Sequence, residues 1–281
     1  MWAATGHCAH SFDCQKYQTG CGHCPHLDVY QKISYDNSSG LWKQKKDIYS
    51  KVKLDIVVPS QWLKDIIEKS VLNSHPIHLI YNGVDTSLFT LQDKVKMREK
   101  LGLPVDKKII LFLADAGKKN IWKGWEYAEK LARSWEENKD VLFLCVGGNN
   151  ANLNNISFTG YISDPKEVAK YYAAADVFLF PSLAENFPLV VLEAMACGLP
   201  VLTFKIGGVP EAVNHKENGY IAEYRNQIDL NNGLEWLLSL SVEETKTISQ
   251  NCSEKVRNNF SLEIMVNNYL NLYQSILDKK E

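Results

Sequence analysis

The chain has 281 residues, of which 45% are hydrophobic and 23% are charged. These values are typical of a soluble globular protein and argue against disorder, collagen or a membrane bundle. The formal net charge of -2 gives no indication of nucleic-acid binding. No apolar run reaches the roughly 18 residues that a membrane helix needs. The first 30 residues also lack the apolar core of a secretory signal. We therefore expect a cytoplasmic protein.

The first third of the chain predicts one strand–helix–strand unit. Residues 41–53 have the pattern of a basic amphipathic helix. A strand over 54–58, a helix over 61–69 and a strand over 77–81 follow, ending in the turn Asn82-Gly83. Ser60 is suited to cap the helix.

Beyond a polar connector over residues 86–108, strands and helices alternate. The apolar pattern predicts strands at 109–113, 141–146, 156–158, 177–180 and 200–204. It predicts helices at 124–138, 165–174, 188–197, 208–214, 226–240, 243–257 and 261–278. This alternation indicates a doubly wound α/β domain, in which ligands bind at the carboxyl ends of the strands.

The segment 181–200 contains two carboxylates in an unusual setting. Glu193 lies in a predicted helix that is otherwise apolar nearly all round. Burial of an unpaired carboxylate costs several kcal/mol, so Glu193 must have a partner or a ligand hydroxyl. Glu185 lies in the loop before that helix, whose N-terminus favours anions such as a diphosphate. The combination suits a sugar nucleotide, and the alternative is a Glu193 paired with a distant Arg or Lys.

Two glycine-containing turns complete the candidate site. Gly207 and Gly208 follow a predicted strand and allow a close backbone approach to a ligand. Lys123, before Gly124, could neutralise a leaving diphosphate. Taken alone, the first pattern is more typical of an ordinary strand-to-helix turn and the second of a surface lysine.

Together these residues resemble the donor-binding half of family-4 glycosyltransferases. The motifs that carry the resemblance are E-x7-E from Glu185 to Glu193, Gly207–Glu211, Asn218-Gly219 and Lys123-Gly124. Asn82-Gly83-Val84-Asp85 resembles the end of the family's N-terminal domain. The resemblance implies a GT-B fold, with one complete Rossmann-like doubly wound domain and a partial N-terminal α/β domain.

The resemblance also implies the reaction, which is retaining transfer of a sugar from a nucleotide-sugar donor to a hydroxyl acceptor without a catalytic metal or other cofactor. In that pattern Glu193 binds the ribose, Glu185 contacts the donor sugar and Lys123 holds the diphosphate. Backbone groups around sugar and phosphate come from Asn186, Phe187, Pro188 and Leu189, and the donor-side loop is shaped by Gly207 and Gly208. Where the family has an Arg before its Lys, this chain has Lys118 and Lys119 as candidates.

The family pattern gives the expected domains. Residues 1–86 are a partial acceptor-side domain with a Cys/His-rich segment over 7–26, residues 87–260 are the donor domain, and residues 261–281 form a helix that crosses back to the first domain. Family members begin about a hundred residues earlier, so the chain is expected to be truncated at its N-terminus. Two other functions stay open: a truncated, non-catalytic sugar-nucleotide-binding module, and a GT-B-fold epimerase or hydrolase.

Four cysteines are concentrated near the N-terminus. Cys8, Cys14, Cys21 and Cys24 have the spacing C-x5-C-x6-C-x2-C, which suits a structural zinc site. The alternative is a loop with four reduced thiols.

Residues 1–10 and the run Cys21-Gly22-His23-Cys24-Pro25 also resemble a bacterial subgroup associated with surface polysaccharide assembly. A saccharide or lipid-linked saccharide acceptor is then expected, with no nucleic-acid partner. The basic helix at 41–53 could contact the inner face of a membrane. Packing of that helix on its own domain is the favoured interpretation.

Overall fold

A computed structural model describes residues 1–28, 32–113, 121–148 and 154–279. The chain divides into two compact units, Met1–Tyr81 and Asn82–Glu281. The domain boundaries and the helix crossing expected from the sequence stay predictions.

The N-terminal unit contains the predicted strand–helix–strand arrangement. Its elements are α1 (Ser38–Tyr49), β1 (Ile56–Val58), α2 (Gln61–Ile67) and β2 (Ile77–Leu79). The two strands are parallel, with Ile56 opposite Ile77. The predicted cap is confirmed, because the Ser60 hydroxyl accepts a hydrogen bond from the Leu63 N–H at 3.1 Å.

The core of this unit explains the position of α1. Val58, Leu63 and Ile67 are buried together, and Tyr49 packs against them. Trp42 of α1 is also buried, and its indole N–H donates to the carbonyl of Tyr17 at 2.9 Å. The aromatic residues of α1 thus pack on its own unit, as the favoured interpretation expects.

The C-terminal unit alternates strands and helices. Its strands are β3 (Lys108–Leu113), β4 (Val141–Val146), β5 (Ile156–Phe158), β6 (Val177–Phe180), β7 (Val201–Phe204) and β8 (Gly219–Ala222). Its helices are α3 (Lys94–Leu101), α4 (Trp125–Ser134), α5 (Pro165–Ala174), α6 (Leu189–Ala196), α7 (Val209–Ala212), α8 (Gln227–Ser239), α9 (Val242–Asn259) and α10 (Leu262–Asp278).

The six strands form one parallel sheet in the order β5-β4-β3-β6-β7-β8. The chain winds outward from β3 to β5 on one side and from β6 to β8 on the other. This is a doubly wound α/β domain, and the strand order reverses between β3 and β6. Residues of β6 are buried throughout, as expected for a parallel sheet covered on both faces.

Two elements of this unit differ from the sequence prediction. The connector expected over 86–108 contains α3, which is capped by Asp93 and ends at Gly102 with φ +64°. Its Arg98 is buried and donates to an Asp176 carboxylate oxygen at 2.6 Å. The second element is β8, which pairs with β7 at the sheet edge. The sequence did not predict α3 because this helix has few apolar residues. It did not predict β8 because this short edge strand depends on pairing with β7.

Candidate functional site

The reversal of strand order defines the candidate site. β3 is followed, beyond residues 114–120, by the 3₁₀ turn Ile121–Lys123 and by α4. β6 is followed by the loop 181–188 and then α6. In open α/β sheets, ligands bind in the crevice outside the carboxyl ends of the two strands at the reversal.

Lys123 and Glu185 meet at this crevice. The Lys123 ammonium donates to Glu185 Oε1 at 2.8 Å. The side chains are 38% and 16% exposed, so both are open to a ligand. Ion pairs with this much solvent contact contribute little to stability. The sequence predicted the two residues separately, and the structure brings them together.

The loop 181–188 is fixed by hydrogen bonds to several other segments. The Leu183 N–H donates to the Trp122 carbonyl at 2.8 Å, which links the loop to the turn that carries Lys123. Other bonds run from the Tyr224 hydroxyl to the Leu183 carbonyl (3.0 Å), from the Gly208 N–H to the Asn186 carbonyl (2.7 Å) and from the Asn82 amide to the Phe187 carbonyl (3.0 Å). Because its backbone is held on several sides, the loop is preorganised around Glu185.

Two predicted glycines contact this loop at distances that exclude a side chain. At Gly207, with φ +48°, a Cβ would lie 2.1 Å from the Glu185 carbonyl oxygen. At Gly124, with φ +69°, a Cβ would lie 1.8 Å from the Pro181 carbonyl oxygen. Both glycines are therefore required by backbone conformation and by close packing.

The N-terminus of α6 is directly next to Glu185 in the chain. Pro188 is its N-cap and provides no capping side chain. Phe187 is buried, with its ring 5.2 Å from that of Phe260. The first N–H groups of a helix carry partial positive charge and attract anions. The predicted positions Asn186, Pro188 and Leu189 thus lie at a helix start suited to a phosphate group.

Glu193, one turn into α6, is held by a tyrosine rather than by a cation. The Tyr172 hydroxyl donates to Glu193 Oε2 at 3.0 Å. Burial raises the pKa of Glu193, and the hydrogen bond from Tyr172 opposes that increase. In the described parts of the chain, Glu193 forms no ion pair with Lys or Arg. The alternative of a charged partner is therefore not seen in these residues.

Tyr172 was missed at the sequence level. It is fully buried in α5, with ring contacts to Phe89 and Phe178. A buried tyrosine needs a partner for its hydroxyl, which is the signal that could have identified it. Lys118 and Lys119 belong to residues 114–120, which lie outside the described residues.

The four N-terminal cysteines line a single cavity of about 20 Å³. All four are free thiols. Across residues 1–28 and the other described ranges, no three His, Cys, Asp or Glu side chains form a group that could hold a metal ion as they are placed. The zinc site expected at Cys8, Cys14, Cys21 and Cys24 stays a prediction.

Among the described residues, none of the helices combines the length and the apolar character needed to cross a membrane. Contact of the helix at 41–53 with a membrane surface stays a prediction.

The comparison with protein families is decisive. The sequence profile described as "Glycosyl transferases group 1" matches residues 93–255, which is more than half of the chain. The chain belongs to this family. The match includes Lys123, Glu185, Glu193 and Gly207, all at or near the reversal of strand order.

Curated relatives of this chain are longer than the chain. It is 26% identical to N-acetyl-alpha-D-glucosaminyl L-malate synthase of Bacillus anthracis over 72% of the chain and 54% of the relative. It is 24% identical to WcaC of Escherichia coli, a protein whose name links it to colanic acid biosynthesis, over 98% of the chain and 66% of the relative. A D-inositol 3-phosphate glycosyltransferase of Mycobacteroides abscessus is 30% identical over 54% of the chain and 37% of the relative.

Solved structures confirm the predicted GT-B-like fold. Sucrose-phosphate synthase of Thermosynechococcus elongatus has a TM-score of 0.74 and 25% identity, and the match covers 90% of this chain and 66% of that one. HepE of Anabaena, solved with UDP and glucose, has a TM-score of 0.66 and 21% identity over 84% of this chain and 66% of that one. The structural neighbours of this chain are GT-B glycosyltransferases.

Proposed function

We propose that this glycosyltransferase moves a hexose, with retention of anomeric configuration, from a nucleoside-diphosphate sugar to a hydroxyl of a saccharide or lipid-linked saccharide. The observation that carries the proposal is the Lys123–Glu185 pair, 2.8 Å apart, at the reversal of strand order and before the N-terminus of α6. A cation, a carboxylate and a helix start at one crevice match the diphosphate and the hydroxyls of such a donor.

The donor is bound at three points in this proposal. The diphosphate lies against Lys123 and the N-terminus of α6, since both attract negative charge. Glu193 accepts hydrogen bonds from the ribose hydroxyls, because an ionised carboxylate can accept several. Glu185 accepts from hydroxyls of the transferred sugar. Gly207 and Gly208 keep the donor-side loop close enough to complete the pocket.

The chemistry is mainly stabilisation of the leaving group. The bond from the anomeric carbon to the diphosphate oxygen breaks, and the acceptor oxygen bonds to the anomeric carbon on the same face. The acceptor hydroxyl loses its proton, which leaves with the nucleoside diphosphate. Lys123 and the helix N-terminus receive the charge that develops on the diphosphate oxygen.

The acceptor side of the proposal is supported by the relatives and by α1. The name of WcaC concerns colanic acid, a polysaccharide, and this favours a role in surface polysaccharide or glycolipid assembly. In the N-terminal unit, Ile48 and Val52 are 48% and 41% exposed, and Lys51 lies between them in the sequence. Exposed apolar residues next to lysines suit an anionic membrane surface, where a lipid-linked acceptor would be found.

Binding of nucleotides by the 281-residue chain tests the donor site. We expect calorimetry with UDP, GDP, ADP and dTDP to identify one preferred nucleotide, and the corresponding sugar nucleotide to bind at the same site. Lys123→Ala should weaken binding by about 10- to 100-fold, because a hydrogen bond to a charged group is lost. Lys139→Ala, which removes an exposed lysine of the same unit, is the matched control.

Product analysis then tests the reaction. Transfer from the preferred donor to a lipid-linked saccharide, with retention seen by NMR at the new anomeric centre, is the expected result. A folded chain that binds none of the four nucleotides contradicts the proposal. Sugar-nucleotide turnover without any acceptor would favour the epimerase or hydrolase, and binding without turnover would favour a non-catalytic module.

A further inference from the structure

We propose that Cys8, Cys14, Cys21 and Cys24 bind one structural zinc ion that holds together the segment ahead of α1. The proposal concerns the N-terminal unit and is independent of the donor site. Its first support is the shared cavity, whose walls contain all four cysteines. The volume of about 20 Å³ is that of a space for a single water-sized particle.

The second support is the scarcity of regular secondary structure in this segment. In residues 1–28 and 32–37, the only regular element is the 3₁₀ turn Lys16–Gln18. Segments this small seldom bury enough apolar surface to fold by themselves, and they use disulfides or metals. The four thiols are free, so a disulfide does not serve this purpose here.

Burial raises the pKa of the Cys8 and Cys21 thiols, and neighbouring hydrogen-bond donors oppose that rise. The Gly6 N–H donates to Cys21 Sγ at 3.2 Å. Lys45 interacts electrostatically with Cys8 and Cys21, and its ammonium is tied to the Thr5 carbonyl at 2.7 Å. A zinc ion with four thiolates carries a net charge of about -2, which N–H donors and a nearby cation offset.

An unpartnered imidazole at the cavity points to the same chemistry. His7 lines the cavity, and among the described residues its Nε2 is buried without a hydrogen-bond partner. Buried polar atoms are almost always hydrogen-bonded, so an orphan requires an explanation. A thiolate bound to zinc would accept the His7 N–H and satisfy it.

The turn Cys21–Cys24 is held in an uncommon backbone conformation. Gly22 has φ +145° and His23 has φ +45°, a value that few residues other than glycine adopt. The Cys24 N–H is fixed by Asp36 at 2.8 Å. A metal ion bound to both ends of the turn would fix this conformation.

Metal binding requires rearrangement of these side chains. Among the described residues, no three potential ligands lie close enough together to hold an ion in their present positions. Zinc would draw the four sulfur atoms inward to about 2.3 Å from the ion. Four thiolates with tetrahedral geometry select zinc over harder ions such as magnesium or calcium.

Metal analysis of the untagged 281-residue protein tests the proposal without any substitution. We expect elemental mass spectrometry to find about one equivalent of zinc per chain. A mercurial reagent should release this zinc in proportion to its modification of four thiols. Less than about a tenth of an equivalent in folded protein from zinc-supplemented cells overturns the proposal. Iron in place of zinc, or disulfides among these cysteines, overturns it as well.

A pair of variants then locates the metal. Cys14→Ser should lose zinc and make the segment ahead of α1 sensitive to protease, whereas Cys197→Ala, in the other unit, should keep one equivalent. Full zinc content in folded Cys14→Ser contradicts the assignment. If Cys14→Ser fails to fold, the wild-type zinc release still decides the question. Nucleotide binding depends on the other unit, so its failure would not be confused with a missing zinc site.

Discussion

The hydroxyl of Tyr172 donates a hydrogen bond to Glu193 at 3.0 Å, and this links α5 to the candidate ribose-binding carboxylate. Tyr172 is fully buried, and its ring is fixed by Phe89 and Phe178. A neutral donor orients the carboxylate without neutralising it. An ionisable group with a shifted pKa and no cation is a sign of a functional site, since it costs stability without an evident structural benefit.

Removal of the tyrosine hydroxyl should change the pH dependence of nucleotide binding. Burial raises the pKa of Glu193 and the Tyr172 hydrogen bond lowers it, so Tyr172→Phe should raise this pKa further. If the ionised carboxylate binds the ribose, nucleotide affinity decreases as Glu193 becomes protonated. In Tyr172→Phe this decrease should therefore occur at higher pH than in the wild type. Dissociation constants measured from pH 5 to 8 test this, with the exposed Tyr161→Phe as control. A weakening equal at every pH would indicate a merely structural role for Tyr172.

Replacement of Glu193 itself should separate stability from binding. The folded-state pKa of Glu193 lies above its ordinary value of 4.5, so ionisation destabilises the native state as the pH rises through this range. Glu193→Gln avoids that cost and should be more stable than the wild type at pH 7, with the difference vanishing below about pH 4. It should also bind nucleotide at least about tenfold more weakly.

Urea unfolding at several pH values, with nucleotide titration at pH 7, measures both effects of Glu193→Gln. Glu254→Gln, an exposed carboxylate on α9, is the control. A variant that is less stable than the wild type at pH 7 and still binds nucleotide normally would contradict the assignment of Glu193.

The close contact of Gly207 with the loop predicts a large effect of a single methyl group. Gly207→Ala places a Cβ 2.1 Å from the Glu185 carbonyl, so the loop must move. We expect a loss of more than about 3 kcal/mol of stability, together with loss of nucleotide binding. Gly160→Ala is the matched control, because Gly160 has φ +75° and no atom within 4 Å of its Cβ position. It should lose only the about 1–2 kcal/mol of backbone strain.

The buried ion pair between α3 and the sheet should control stability in acid. Asp176 accepts hydrogen bonds from Lys94, Arg98 and the Ile109 N–H. Burial alone would raise the pKa of Asp176, but these partners outweigh burial and lower it. Its stabilising effect is thus present above the ordinary value of 3.8 and is lost as the pH falls through the folded-state pKa.

Asp176→Asn leaves Arg98 buried without its charge partner and should cost about 3–5 kcal/mol at pH 7. The penalty should shrink at low pH, where the wild-type carboxylate becomes protonated. Urea unfolding between pH 3 and 7 measures it, with the exposed Asp140→Asn as control. A penalty that does not depend on pH would contradict this account.

The sequence allowed prediction of the elements that have regular apolar patterns. The strands over 141–146, 156–158 and 177–180 and the helix over 165–174 have the predicted bounds. α3 was missed because its inward face depends on Arg98, and a charged residue normally indicates the surface. The Lys123–Glu185 pair could not be derived either, because 62 positions separate the two residues and only the sheet topology brings them together.

In the proposed function, the ion pair between Lys123 and Glu185 makes donor binding an exchange of anions. A diphosphate that takes Lys123 must displace Glu185, and the carboxylate is then released at the place where the sugar hydroxyls arrive. After transfer, the sugar no longer occupies Glu185, and the carboxylate can compete for the lysine again. Glu185 therefore competes with the nucleoside diphosphate product for Lys123, but it does not compete with the intact donor, whose sugar occupies Glu185. The two side chains that bind the substrate thus also favour release of the product.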